Sequence, residues 1–137
     1  MYPDEQHILL IDHDAERRQL CERILLDEGF AVTAVAEGIS AVRAATSRHF
    51  ALAVTAMNLP GTLDGPTTIH QLRARQPWLK ALFTGDVAQR PLWRSRDRDE
   101  FIPVPFHRRD LIGCVFELLH RGGAPLPGIG RNVCRAG

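Results

Sequence analysis

A doubly wound α/β fold, with a five-stranded parallel sheet in the middle of a three-layer sandwich, is what this sequence predicts. Two observations carry the prediction. Short continuous apolar runs alternate along the chain with segments of helical apolar spacing. The runs break off at polar, glycine or proline clusters, as buried parallel strands do where the chain leaves a sheet. Parallel crossovers are right-handed and lay the intervening helices against the sheet, so both of its faces are covered.

The first strand is Ile8-Leu-Leu-Ile11, cut off by Asp12-His13-Asp14. From Ala15 to Glu28 the spacing turns helical. Leu20, Cys21, Ile24 and Leu25 form an apolar stripe, Asp14 stands where an N-cap belongs and Gly29 where a C-cap belongs. Ala31 to Ala36 reads as the second strand, and Gly38 to Arg48 as a helix with Ile39, Val42 and Ala45 on one side. Ala51 to Ala56 is the third strand. The loop after it, Met57 to Gly65, carries the turn dipeptides Pro60-Gly61 and Asp64-Gly65. Pro66 suits the first turn of a helix that runs to Gln76 with Ile69 and Leu72 inward, and Pro77 lies just past its end.

Ala81 to Thr84 and Phe101 to Val104 are the fourth and fifth strands, the latter shortened by Pro103. Between them, Val87 to Glu100 is a poor helix. Pro91 interrupts it, and Arg90, Arg94, Arg96 and Arg98 alternate with Asp97, Asp99 and Glu100. Arg108 to Arg121 is the last helix, with Leu111, Val115 and Leu118 on one face. Residues 1–121 therefore form one domain, and the glycine- and proline-rich residues 122–137 read as a flexible tail or the start of a linker.

Composition agrees with one domain. A chain of 137 residues that is 45% hydrophobic and 24% charged can bury enough surface to fold without disulfides or a structural metal. Seventeen basic against sixteen acidic side chains leave a net charge of +1, which argues against a nucleic-acid backbone or an anionic membrane as the main partner. Lys80 is the sole lysine. Cys21, Cys114 and Cys134 are widely spaced and form no Cys-x-x-Cys pair, so neither a zinc site nor a disulfide framework is suggested and a reducing cytoplasm is the natural setting. The N-terminus has no basic segment leading into a long apolar run, and no stretch approaches the roughly 20 apolar residues of a membrane span.

In such folds the functional crevice lies beyond the C-terminal ends of the strands. Those ends are Asp12-His13-Asp14, Ala56, Thr84-Gly85-Asp86 and Val104-Pro105-Phe106. An acidic cluster follows the first strand, Met57-Asn-Leu-Pro-Gly61 and Asp64-Gly65 follow the third, a threonine the fourth and Pro105-Phe106 the fifth. This order resembles the response-regulator receiver domain of two-component signalling, over about His7 to Arg121, and implies its flavodoxin-like fold. Two stretches depart from the family's usual spacing: the Pro60 to Gly65 loop is slightly longer and Thr84 to Phe101 slightly shorter.

The resemblance implies transfer of a phosphoryl group from a histidine kinase to an aspartate, assisted by Mg²⁺. That chemistry needs a carboxylate nucleophile, oxygen ligands for a hard cation and a side-chain cation for the phosphate. Carried onto this chain, the first acidic position is Asp12. The second is His13, a poor ligand for Mg²⁺, and Asp14 keeps the third. The phosphoacceptor position is Ala56, whose methyl group cannot attack phosphorus, and the lysine position is Val104. The switch positions Thr84 and Phe101 are kept. Losing carboxylate and lysine together is electrostatically self-consistent, since deleting only one would leave an unpaired charge in the cleft.

The chain therefore reads as a degenerate receiver, or pseudo-receiver, in a two-component phosphorelay. It is expected to act by protein–protein contacts, not to be phosphorylated by the usual route, and not to be an enzyme. No cofactor is expected, and metal binding is absent or weak at Asp12, because adjacent strand residues point to opposite faces. The partner would be a histidine kinase, another receiver or an effector, or a second copy in a homodimer, with no membrane and no direct nucleic acid. Two other readings stand beside it. One is a phosphoacceptor that uses an unconventional residue. The other is a small-ligand module on the same architecture, which the motifs disfavour because they hold no nucleophile–base pair.

Several features have plainer readings. Thr55 alternates away from the face of Ala56 and reads as a buried strand threonine, not a surrogate phosphoacceptor. The Arg90 to Arg98 run reads as a solvated ion-paired face because acids interleave it. Trp93 beside Arg94 suits a partner-binding hot spot on the face that receivers commonly use for dimerisation and output, and Trp78 suits partial core burial. The histidines His7, His49, His70, His107 and His120 are scattered and read as surface or satisfied groups.

Overall fold

The computed structural model describes residues 7–90 and 98–121. In chain order it contains β1 (His7–Ile11), α1 (Ala15–Asp27), β2 (Ala31–Val35), α2 (Gly38–Ala44), β3 (Leu52–Ala56), α3 (Gly65–Arg75), β4 (Lys80–Gly85), β5 (Asp99–Pro103) and α4 (Arg108–His120). A single 3₁₀ turn, Val87–Gln89, follows β4. The strands form one sheet in the order β2-β1-β3-β4-β5, every neighbouring pair parallel. The expected tail, residues 122–137, lies outside the described residues. No helix among the described residues is long and apolar enough to cross a membrane.

Strand alternation divides the core in two. Ile8, Leu10, Leu52, Val54, Leu82 and Ile102 face α1 and α4, packing on Cys21, Ile24, Leu25, Leu111, Val115 and Leu118. Leu9, Ile11, Ala53, Ala81, Phe83 and Phe101 face α2 and α3, packing on Ala41, Ala45, Ile69 and Leu72. Both faces of β1 and β3 are buried throughout. Continuous apolar runs are the pattern such strands require.

Three expectations need correction. Leu20 and Ile39, read as inward, are 57% and 50% exposed; the α1 stripe is carried by Cys21, Ile24 and Leu25, and α2, which ends at Ala44, buries Gly38 and Ala41. The fifth strand begins at Asp99, not Phe101. Asp99 and Glu100 are consequently not part of a solvated face: both are buried in β5. Asp99 is held by Arg73 of α3 at 2.6 Å, and Glu100 by Arg121, which also pairs with Glu117. Buried carboxylates persist in a sheet only with such partners.

The loops are fixed by polar clips. Gln76, 2% exposed, accepts from the Phe50 backbone N–H through Oε1 and donates through Nε2 to the carbonyls of Ala45 and Arg48. It thereby closes the connection from α2 to β3. Trp78 is half-buried and donates from Nε1 to the Phe50 carbonyl at 2.9 Å. His7 is buried between Thr33 and Arg48, with ring nitrogens 2.9 and 3.0 Å from their side chains. The chain leaves β1 toward β2 on one side and returns to β3 on the other. The crevice of an open α/β sheet forms at such a reversal, outside Asp12 and Ala56.

Candidate functional site

The crevice is built from backbone that continues the sheet ladder past the strand ends. Asp12 N–H donates to the Val35 carbonyl at 3.1 Å, Met57 N–H to Thr84 at 2.8 Å and Val104 N–H to Gly85 at 2.8 Å. Ala56 closes β3 in register with Thr84, and both are buried. The β3–α3 loop folds straight back: Gly65 N–H donates to the Met57 carbonyl at 2.9 Å, and Asp64 caps α3 through Oδ1 to Thr67 N–H at 2.9 Å. Val104 is half-buried and precedes a cis proline, Pro105. β3 thus ends in the methyl of Ala56, and β5 is followed by the isopropyl group of Val104. Thr55 is fully buried and donates from Oγ1 to the Ala56 carbonyl at 3.0 Å, as a strand threonine facing the other way.

The acidic cluster does not converge. Asp12 is 3% exposed, whereas His13 and Asp14 are exposed. Asp14 caps α1 by accepting from Arg17 N–H at 3.0 Å, and this hydrogen bond holds its carboxyl below the usual aspartate range. Arg17, one turn into α1, reaches back to Asp12: Nε donates to Oδ2 at 2.5 Å and Nη2 to Oδ1 at 3.0 Å. Asp14 N–H adds a third hydrogen bond to Oδ1 at 3.0 Å, and Arg18 Nη1 donates to the Asp12 backbone carbonyl at 2.8 Å. The side-chain hydrogen bond to Asp12 raises the pKa of Arg17 above its ordinary value. Among the described residues, no three His, Cys, Asp or Glu side chains gather as a metal site.

Of the two switch positions, Thr84 is buried in β4, and Phe101 is 4% exposed within the α2–α3 side of the core. The Arg90 guanidinium lies over the Phe101 ring, 5.0 Å from its centre. Trp93 and Arg94 lie outside the described residues. The sequence reading leaves Arg17 out and places Arg90 in a solvated ion-paired run, whereas its guanidinium covers Phe101. The signal for Arg17 was available: an arginine three residues after the N-cap Asp14 is placed to reach back over the first turn toward the preceding strand end.

The response regulator receiver domain model matches residues 8–114. The chain belongs to this family. Among curated proteins, the receiver is 32% identical over 117 residues to the transcriptional regulatory protein TctD of Salmonella typhimurium, covering 83% of this chain and 52% of that protein. It is 29% identical over 126 residues to the transcriptional regulatory protein GltR of Pseudomonas aeruginosa, covering 88% and 52%. The receiver thus spans about half the length of these curated relatives. Among solved structures, it resembles a response regulator receiver protein from Sinorhizobium medicae at TM-score 0.75 and 28% identity, covering 83% of this chain and 94% of that one. It also resembles the receiver domain of a sensor histidine kinase from Pseudomonas aeruginosa, described with a magnesium ion in its active-site cleft, at TM-score 0.70 and 26% identity, covering 83% and 97%.

The family implies a Mg²⁺ site, and the residues of this receiver do not fit one. Mg²⁺ demands near-octahedral oxygen ligation and binds proteins through carboxylates. Among the described residues, the buried crevice carboxylate is Asp12, and both of its oxygens are engaged by Arg17. His13 offers nitrogen and is exposed, and Ala56 offers no side-chain oxygen.

Proposed function

We propose that this receiver takes part in two-component signalling through protein contacts that do not depend on an aspartyl phosphate of its own. One observation carries the reading: at the reversal point of the sheet, β3 ends in the methyl of Ala56 while Asp12 is already neutralised by Arg17. Phosphoryl transfer needs a nucleophile at phosphorus and positive charge for the phosphate oxygens. Ala56 and Val104 supply neither. The same absence of a nucleophile–base pair makes the domain a binding module and not an enzyme, working without Mg²⁺ in the cytoplasm.

The partner in this reading is a histidine kinase, another receiver or an effector, recognised in the conformation that the crevice holds permanently. A second copy of the chain is a further partner of the same kind. Incubation with acetyl phosphate or a cognate kinase, followed by intact mass measurement, tests the reading. The expected spectrum shows unmodified protein only. A stable adduct of one phosphate mapping to a crevice residue would overturn it and establish an unconventional phosphoacceptor.

A further inference from the structure

We infer that Arg17 is a built-in substitute for the divalent cation: its guanidinium occupies the Asp12 carboxylate and so keeps Mg²⁺ out of the crevice. The inference rests on the reading that this crevice is not a phosphotransfer site, and it assigns the exclusion to one side chain. Asp12 is 3% exposed, and a buried carboxylate left without a counter-ion would be costly. Val104 stands where the family places its lysine and cannot provide one. Arg17 does so from α1 with the planar, two-point geometry that a guanidinium alone among side chains presents to a carboxylate.

The grip is reinforced on both sides. Asp14 N–H donates to Oδ1, and Arg18 ties the Asp12 backbone carbonyl, so the aspartate is fixed from α1 at three of its oxygens. A metal ion would have to displace both Arg17 hydrogen bonds before gaining its first carboxylate oxygen. Arg17 has 29% of its side chain exposed, and Met matches the length of its apolar stem. It is a positioning residue that acts through Asp12.

Mn²⁺ serves as the probe, because it broadens NMR signals only near where it binds. In the native protein, titration is expected to leave the amides around Asp12 and Ala56 sharp. Arg17→Met is expected to broaden them selectively, with Mn²⁺ affinity raised at least about tenfold, and adding Asp12→Asn is expected to abolish that gain. If Arg17→Met does not fold, Arg17→Lys decides: an ammonium lacks the rigid two-point match of a guanidinium to a carboxylate, so weak selective broadening is expected. Selective broadening in the native protein equal to that of the variant, or none in a folded variant, overturns the inference. Either result is separable from phosphorylation: an adduct with acetyl phosphate sinks the functional reading, whereas an unchanged Mn²⁺ response in the variants sinks only the role of Arg17.

Discussion

The Arg90 guanidinium sits 5.0 Å from the centre of the Phe101 ring, closing over an aromatic side chain that is 4% exposed. Phe101 pairs in register with Phe83 of β4 and packs with Leu79 and Ala81, so its ring belongs to the core on one side and to Arg90 on the other. In this family that aromatic position and the threonine of the fourth strand form the switch. Here the ring is inward and covered by a cation. Arg90 is exposed, and a cation–π contact at an exposed site contributes about 0.5–1 kcal/mol. Arg90→Ala is therefore expected to lower the unfolding free energy by that amount, seen as a lower urea midpoint with an unchanged m-value, while Phe101→Ala costs about 3–5 kcal/mol because it also leaves a cavity. Equal, negligible effects of the two substitutions would show that the ring is not held where the structure puts it.

Gly65 is required by close approach. A β-carbon added there would lie 2.2 Å from the Ala56 carbonyl oxygen and 3.1 Å from the Met57 Cα, both backbone atoms that cannot rotate away. The N–H of the same residue holds the Met57 carbonyl. Gly65→Ala must push the start of α3 off the end of β3, and is expected to destabilise the fold by about 1–3 kcal/mol. Chemical denaturation measures the cost, and the amide shifts of Ala56 and Met57 should move with it. A stability unchanged from the native protein would mean that the loop can open without disturbing the crevice.

How far the sequence could be read follows from which interactions are local. The strands were legible because β1, β3 and β4 are buried on both faces and show it as unbroken apolar runs. The helix caps at Asp14 and Asp64 were legible because capping is settled within a few residues. Helix faces were harder: Leu20 and Cys21 are adjacent rows of one apolar stripe, and only the sheet decides that Cys21 turns inward while Leu20 stays 57% exposed. Asp99 and Glu100 were misread as solvated because their partners, Arg73 and Arg121, are 26 and 21 residues away in sequence. The sequence shows Gln76 only as the end of a helix, because the three backbone groups it satisfies lie 26 to 31 residues away. At the crevice, motif order alone brings Ala56 and Val104 to the strand ends, whereas the contact of Arg17 with Asp12 depends on where a side chain of α1 reaches.

Cys21, one turn after Arg17 on α1, gives the fold an alkaline limit. It is 2% exposed, and burial, followed by the nearby charge of Asp12, pushes its thiol up to about 11 from an ordinary 9.0. The folded state therefore keeps the proton to higher pH than the unfolded chain does. The resulting stability, about 2–3 kcal/mol for a shift of this size, is fully present below about pH 9 and is lost as pH rises through 11. Urea unfolding across that range is expected to show the decline, and Cys21→Ala is expected to reduce it. In the native protein at neutral pH, the thiol of Cys21 is expected to resist alkylating reagents until the chain unfolds, since only the thiolate reacts and α1 covers it. Labelling of Cys21 at the rate of a free thiol would mean that α1 opens readily, and the Arg17 grip on Asp12 would then be as transient as the cover over the cysteine.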